Sequence, residues 1–172
     1  MNAVMENLLT RRSVRAFEKR EIPAAELNQI LKAAQYAPSG MNRQTWQFTA
    51  VTDREKIRLL AAEIEKELGR KGYNMYEPQV LIIPSNEKDS PFGMEDNACA
   101  LENIFLAAHS FGIGSVWINQ LRDIADRPSI RSLLHNWGIP DNHTVYGMAA
   151  LGYPAPAPEK PVEKTGRIVI VK

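Results

Sequence analysis

The chain has 172 residues, of which 44% are apolar and 24% charged, the balance of a soluble globular protein able to bury a sizeable core. A formal net charge of +1 excludes the broad basic footprint of a nucleic-acid or anionic-membrane partner. Its one cysteine, Cys99, excludes an internal disulfide and a multi-cysteine metal site. Met1–Arg12 lacks the apolar run and small-residue cleavage site of a secretory leader, and no stretch approaches the ~20 apolar residues of a membrane span. The expectation is a single cytoplasmic domain over residues 1–172, with 154–172 as an extended C-terminal arm and strand.

In chain order, residues 2–10 read as a short helix with Val4, Met5, Leu8 and Leu9 on one side. Arg11–Lys19 is an extended or looped basic segment. Pro23 opens a second helix whose stripe is Leu27, Ile30, Leu31 and Ala34, and Pro38 ends it. Trp46–Val51 alternates as a strand. Thr52 and Glu55 suggest a capping box for a helix striped by Ile57, Leu60, Ala61, Ile64 and Leu68. Gly69 or Gly72 stops that helix. Val80–Ile83 is a buried central strand, and residues 84–96 read as a polar loop.

From about Asn97 to Phe111 the helix pattern is apolar nearly all round, with Glu102 its only formal charge. Such a helix needs cover nearly all round. One face is expected on its own sheet and another on a second subunit; a deeply central helix in a monomer is the competing account. Gly112-Ile113-Gly114 breaks it, and Ser115–Ile118 is a strand. Ile130, Leu133, Leu134 and Trp137 mark another helix, ended by Gly138 and Pro140. Thr144–Gly152 reads as a strand of small residues. Beyond the proline-rich stretch Pro154–Pro161, Arg167–Lys172 is a β-branched strand on an arm that cannot be helical. It either crosses to a partner's sheet or pairs within its own chain.

Four segments could carry chemistry. Arg11, Arg12, Ser13 and Arg15 place three guanidinium groups and a hydroxyl within five residues, suited to phosphate oxygens and to carbonyl or ring-nitrogen acceptors. Pro38, Ser39, Asn42 and Gln44 surround a tight loop, and the two amides can donate to and accept from a heterocycle edge. Val116, Trp117 and Ile118 follow a Gly-x-Gly turn that lets backbone come close to a flat ring. That turn follows a helix and opens a strand, the reverse of a dinucleotide fingerprint. Lys160, Lys164 and Arg167 are basic residues of the arm. Each segment alone has an ordinary explanation: a solvated basic turn, routine turn chemistry, a glycine-stopped helix, surface lysines. His109, His135 and His143 read as structural, and Cys99 as a buried inert thiol.

Taken in order, Arg-Arg-Ser-x-Arg, Ala-Pro-Ser-x-x-Asn-x-Gln-x-Trp, Gly-x-Gly-Ser-x-Trp-Ile and Ala-Leu-Gly-Tyr-Pro with a basic tail resemble the FMN-dependent nitroreductase family from Arg11 to Arg167. The resemblance implies an α+β fold, with a central, mainly antiparallel sheet flanked by helices. It implies an intertwined homodimer whose C-terminal strand reaches the partner, with FMN at the subunit interface. Ping-pong hydride transfer from NADH or NADPH through flavin N5 to a nitroaromatic, quinone or similar small acceptor would follow. No protein side chain would serve as catalytic acid, base or nucleophile, because the cofactor carries the chemistry.

By the same resemblance, Arg11, Arg12, Ser13 and Arg15 would hold the phosphate, ribityl chain and pyrimidine edge. Pro38, Ser39, Asn42 and Gln44 would contact FMN, some from the partner. Val116, Trp117 and Ile118 would lie along the other side of the ring. The family's tail offers a basic pair to the phosphate, but here the matching stretch is Lys160-Pro161-Val162. Lys164 and Arg167 are therefore the expected substitutes. The short segment 84–96 implies an open, shallow acceptor pocket. A flavin store or redox sensor without significant turnover is the competing function.

Overall fold

The computed structural model describes residues 1–156 and 163–172. In order it places α1 (Ala3–Thr10), α2 (Ala24–Gln35), a single 3₁₀ turn (Gly40–Asn42), β1 (Trp46–Val51), α3 (Arg54–Leu68) and β2 (Val80–Glu87). Then come α4 (Gly93–Ser110), β3 (Gly114–Ile118), α5 (Pro128–Asn136), β4 (His143–Thr144) and β5 (Met148–Gly152). The strands lie in the order β1-β2-β5-β3, with β4 beside the end of β2, and every pair is antiparallel.

Strand alternation divides the apolar residues into two cores, one on each sheet face. Leu81, Ile83, Val116, Ile118 and Ala150 pack against α3 and α5. Val80, Ile82, Ala149 and Leu151 pack against α2 and α4. The two central strands are covered on both faces, so both read as nearly continuous apolar runs.

Several element boundaries differ from the sequence expectation. The cap of α3 is Asp53 rather than Thr52, because its carboxylate accepts from the Glu55 and Lys56 amides. The polar segment after Ile83 continues as strand to Glu87, and α4 starts at Gly93. Conversely, Thr144–Gly152 is split into β4 and β5. Ile82 pairs with Ala149 and Asn86 with Thr144, so β2 has no partner on that side at Ile83–Ser85. Pro84, which has no N–H to donate, sits in this gap.

The sheet and α2 bury Ala100, Leu101, Ile104, Phe105 and Ala108 of α4. Ala98, Cys99, Leu106 and Ala107 stay half-buried, and Met94 is exposed. No residue of α1 is buried, and Val4, Met5, Leu8 and Leu9 are all exposed. Residues 167–172 form no strand with the described residues of the chain, and Ile168, Val169, Ile170 and Val171 are exposed. Among the described residues no helix is long and apolar enough to cross a membrane.

Candidate functional site

The arginine segment runs along the outer edge of β3. Ser13 forms a parallel bridge with Ser115, and the Val14 amide donates to the Ser115 carbonyl at 2.9 Å. Gly114 and Gly152 make this approach feasible. A Cβ at Gly114 would lie 2.7 Å from Val14, and one at Gly152 would lie 2.8 Å from Phe17. The glycines of the Gly-x-Gly motif therefore serve the chain itself: Gly112 (φ 70°) closes α4, and Gly114 admits the arginine segment.

Arg11 turns toward α4, with Nε 3.7 Å from Glu102 and its guanidinium 5.8 Å from the centre of the Phe105 ring. Arg12 turns back and donates to the carbonyls of Leu9 and Arg11 at 2.8 and 2.9 Å. Ser13 and Arg15 are exposed. Among the described residues neither Arg12 nor Arg15 forms an ion pair, so their charge is uncompensated. His109, on α4, shares a hydrogen bond of 2.9 Å with Thr10. Partial burial first, then the nearby Arg11 and Arg12, push its pKa below the ordinary imidazole value.

The second group lies between α2 and β1. Met41, Asn42 and Gln44 all have positive φ (54°, 55° and 51°), a strained arrangement for side-chain-bearing residues. Ser39 Oγ accepts from the Gln44 amide at 2.9 Å, closing the loop on itself. Gln44 Nε2 donates to Asn42 Oδ1 at 2.8 Å. The pair thus retains Asn42 Nδ2 as donor and Gln44 Oε1 as acceptor, both on exposed residues. Pro38 is exposed at the start of this loop. A groove of about 990 Å³ beside it is lined by Leu31, Gln35, Tyr36, Ala37, Asn42, Gln44, Trp46, Gln47 and Phe48.

On β3 the three expected residues separate. Val116 and Ile118 are buried in the core under α3 and α5, so only their backbone could serve a ligand. The Trp117 side chain is 40% exposed, 6.2 Å from Phe105 between ring centres. Because the Ser115 carbonyl points off the sheet edge to Val14, alternation points the Trp117 N–H and C=O off the same edge.

One chain does not bring all these residues together. The arginines and Trp117 lie at the β3 edge, while Asn42 and Gln44 precede β1 at the opposite edge. Three strand spacings, roughly 14 Å, separate the two edges. Lys164 and Arg167 are exposed on the C-terminal segment, and Lys160 lies outside the described residues. Among the described residues there is no cluster of three or more potential metal-ligating side chains.

Sequence patterning did not single out Asp96. It is 3% exposed, and its carboxylate accepts from Ser39 Oγ at 3.2 Å and from the Gly40 amide at 2.8 Å. In the sequence it looks like an ordinary acidic residue at the end of the polar loop 84–96. Its one sequence signal is its place immediately before the apolar helix pattern that begins at about Asn97.

This donor set fits a phosphorylated, flat heterocycle. Uncompensated guanidinium groups suit the phosphate, an adjacent donor and acceptor suit an imide edge, and an edge-strand backbone beside an exposed indole suits a ring. The family model of the Nitroreductase family matches residues 8–153. A protein of Archaeoglobus fulgidus, provisionally named an NADH dehydrogenase/NAD(P)H nitroreductase, is 35% identical over 90% of this chain and 87% of its own length. The NADPH-flavin oxidoreductase of Vibrio harveyi is 29% identical over 99% of this chain and 73% of its own. Among solved structures, a nitroreductase with bound FMN from Bacteroides fragilis shares 43% identity with a TM-score of 0.94, covering 100% of both chains. Fold and similarity together define an α+β protein of the nitroreductase-like type. The chain belongs to the nitroreductase family.

Proposed function

We propose that this protein is an FMN-dependent NAD(P)H oxidoreductase that works as a homodimer on small aromatic acceptors such as nitroaromatics or quinones. The observation that carries this reading is the donor set: uncompensated Arg12 and Arg15 at one sheet edge, and the exposed Asn42–Gln44 donor–acceptor pair at the other. In a homodimer the β3 edge of one copy can face the β1-side loop of the other, giving two equivalent sites. The exposed α1 side chains and the unpaired segment 167–172 supply apolar surface for that association.

Arg12 and Arg15 would bind the phosphate, together with Ser13 and with Lys164 or Arg167 from the tail. Arg11, held between Glu102 and Phe105, would place its charge near the ring's polar edge. Asn42 and Gln44 would orient the pyrimidine portion. Pro38 and Ser39 would shape that loop, while Trp117 and the backbone of Val116–Ile118 would limit the ring's other side. Bound FMN would supply the hydride-transfer chemistry, accepting from a reduced nicotinamide and passing reducing equivalents on. The protein's share is binding, orientation and a cationic environment that favours negative charge on the ring. Only residues 88–92 connect β2 to α4, which favours an open acceptor face over a lidded one.

The test is an absorbance spectrum of the purified protein before and after anaerobic NADH or NADPH. Visible flavin bands that bleach within the mixing time of a stopped-flow instrument are expected. A colourless protein that FMN does not stabilise overturns the reading, and flavin bands that neither nicotinamide bleaches overturn the enzyme in favour of a flavin store.

A further inference from the structure

The buried carboxylate of Asp96 has a task that the family motifs do not express. We infer that Asp96 is a positioning residue: from inside the protein it sets the shape of the Ser39–Gln44 loop, and so the placement of the Asn42–Gln44 amide pair toward the flavin. This inference rests on the flavin-binding reading proposed above.

Three contacts converge on the loop from the start of α4. Asp96 accepts a hydrogen bond from the Ser39 hydroxyl at 3.2 Å on one oxygen and from the Gly40 amide at 2.8 Å on the other. The Phe92 side chain packs so closely against Gly40 that a Cβ there would collide with its ring. Ser39 Oγ, its proton committed to Asp96, presents its lone pairs to the Gln44 amide at 2.9 Å. A relay therefore runs from Asp96 through the Ser39 hydroxyl to the backbone of Gln44. It ends on a segment whose left-handed residues Met41, Asn42 and Gln44 would not hold that shape unaided.

Burial makes the relay strict. Asp96 is 3% exposed, so water cannot replace the loop as its partner. A buried acceptor left without donors is costly, so the loop and the carboxylate hold each other. Ser39, Gly40 and the first turn of α4 thus form one rigid support, and the exposed amides of Asn42 and Gln44 inherit its geometry. Pre-ordering of this kind raises ligand affinity by removing the cost of ordering the loop on binding.

The experiment compares the full chain with Asp96→Asn, and with Ile104→Val as a control that thins the same helix's core without touching the loop. Asn can still accept from the Gly40 amide, but its amide nitrogen can only donate to Ser39 Oγ, so the hydroxyl proton loses its buried acceptor and the oxygen that receives the Gln44 amide is no longer held in place. FMN dissociation constants are read by quenching of flavin fluorescence. Hydrogen exchange of the Gly40 and Gln44 amides is read on the FMN-free protein. Asp96→Asn is expected to raise the FMN dissociation constant about tenfold or more. It is also expected to speed exchange at Gly40 and Gln44, with both effects exceeding those in Ile104→Val. A second variant, Ser39→Ala, removes the middle of the relay. Combined with Asp96→Asn it should weaken FMN little beyond either single change, because both break the same chain of hydrogen bonds. Unchanged FMN affinity in Asp96→Asn, or additive losses in the double variant, overturns the inference while the flavin reading stands. Failure of the unmodified chain to bind FMN overturns the flavin reading itself, and the positioning role toward the flavin with it. If Asp96→Asn does not fold, Ser39→Ala carries the same comparison of affinity and amide exchange; normal values for both in that variant overturn the inference.

Discussion

The indole of Trp117 rests directly on Gly147: a Cβ at position 147 would lie 2.6 Å from its Nε1. Gly147 sits in the gap between β4 and β5, so the break in that strand and the seat of the indole share one location. Gly147→Ala must displace the ring, which is half free to move toward solvent. A cost of roughly 1–3 kcal/mol is expected from such overpacking, read by denaturant unfolding. Weaker FMN binding and a shifted tryptophan emission should accompany it. A variant with native stability and native FMN affinity would show that the indole's seat is irrelevant to the flavin.

Arg15 is exposed and forms no ion pair among the described residues, so little of the fold depends on it. Arg15→Ala should leave the melting temperature nearly unchanged. If its guanidinium meets the phosphate, FMN affinity should fall by about ten- to a hundredfold, the value of one charge-assisted hydrogen bond. Riboflavin, which lacks the phosphate, should bind both proteins equally. Added salt should narrow the FMN difference if the pair is solvent-accessible. Titrations of both ligands at two ionic strengths decide this, and an equal loss for riboflavin would move Arg15 away from the phosphate.

The elements with strong periodicity were legible in the sequence. The stripes of α2, α3 and α5, the double-sided apolar run of β2 and the glycine stop of α4 all follow from local pattern. What escaped depends on contacts distant in sequence. Asp53 outcompetes Thr52 as a cap because its carboxylate reaches two amides. The break between β4 and β5 depends on Pro84 in a strand some sixty residues earlier, roughly a register effect that no local window holds. The roles of Gly114 and Gly152 depend on Val14 and Phe17. Motif order proposed Arg11, Ser39 and Trp117 for the candidate site, but that order could not tell that Val116 and Ile118 point into the core. Asp96 was missed because the sequence pattern leaves it in the polar loop 84–96, where an acidic residue is ordinary, and its partners Ser39 and Gly40 lie more than fifty residues earlier.

His143 gives a pH prediction. It is 8% exposed, with Nδ1 3.1 Å from Ser85 Oγ. Burial first lowers its pKa from 6.5; Arg131 lowers it further, and Glu87 opposes them. His109 is shifted in the same direction. A histidine with a lowered folded pKa binds fewer protons folded than unfolded, so stability rises with pH across that interval. The full contribution is present above 6.5 and is lost as pH falls from there through the lowered folded values. Thermal melts of the protein should therefore show a falling melting temperature from about pH 7 to about pH 5. His143→Gln should flatten part of that slope, leaving the share due to His109. An identical slope in the variant would remove His143 from the account.

The C-terminal segment carries a prediction about the oligomeric state. Ile168, Val169, Ile170 and Val171 are 89, 63, 79 and 91% exposed in a single chain. Burying one such side chain contributes roughly 1.5–3 kcal/mol, so four of them left in water are a large unused driving force. Their composition suits a strand, and the outer edge of β1 offers unpaired backbone on the sheet's far side from β3. A dimer that exchanges these segments would bury eight side chains in all, counting the four from each copy. It would also cover an edge that otherwise invites aggregation. Deleting residues 167–172 should then weaken association by at least about a hundredfold, the equivalent of some 2.7 kcal/mol. Sedimentation equilibrium at micromolar concentration should show a dimer for the full chain and largely monomer for the truncated one. Ile170→Asp should act in the same direction, because a carboxylate cannot be buried against an apolar face without a partner. A full chain that sediments as a monomer, or a truncated one that stays fully dimeric, would remove the exchanged strand from the assembly.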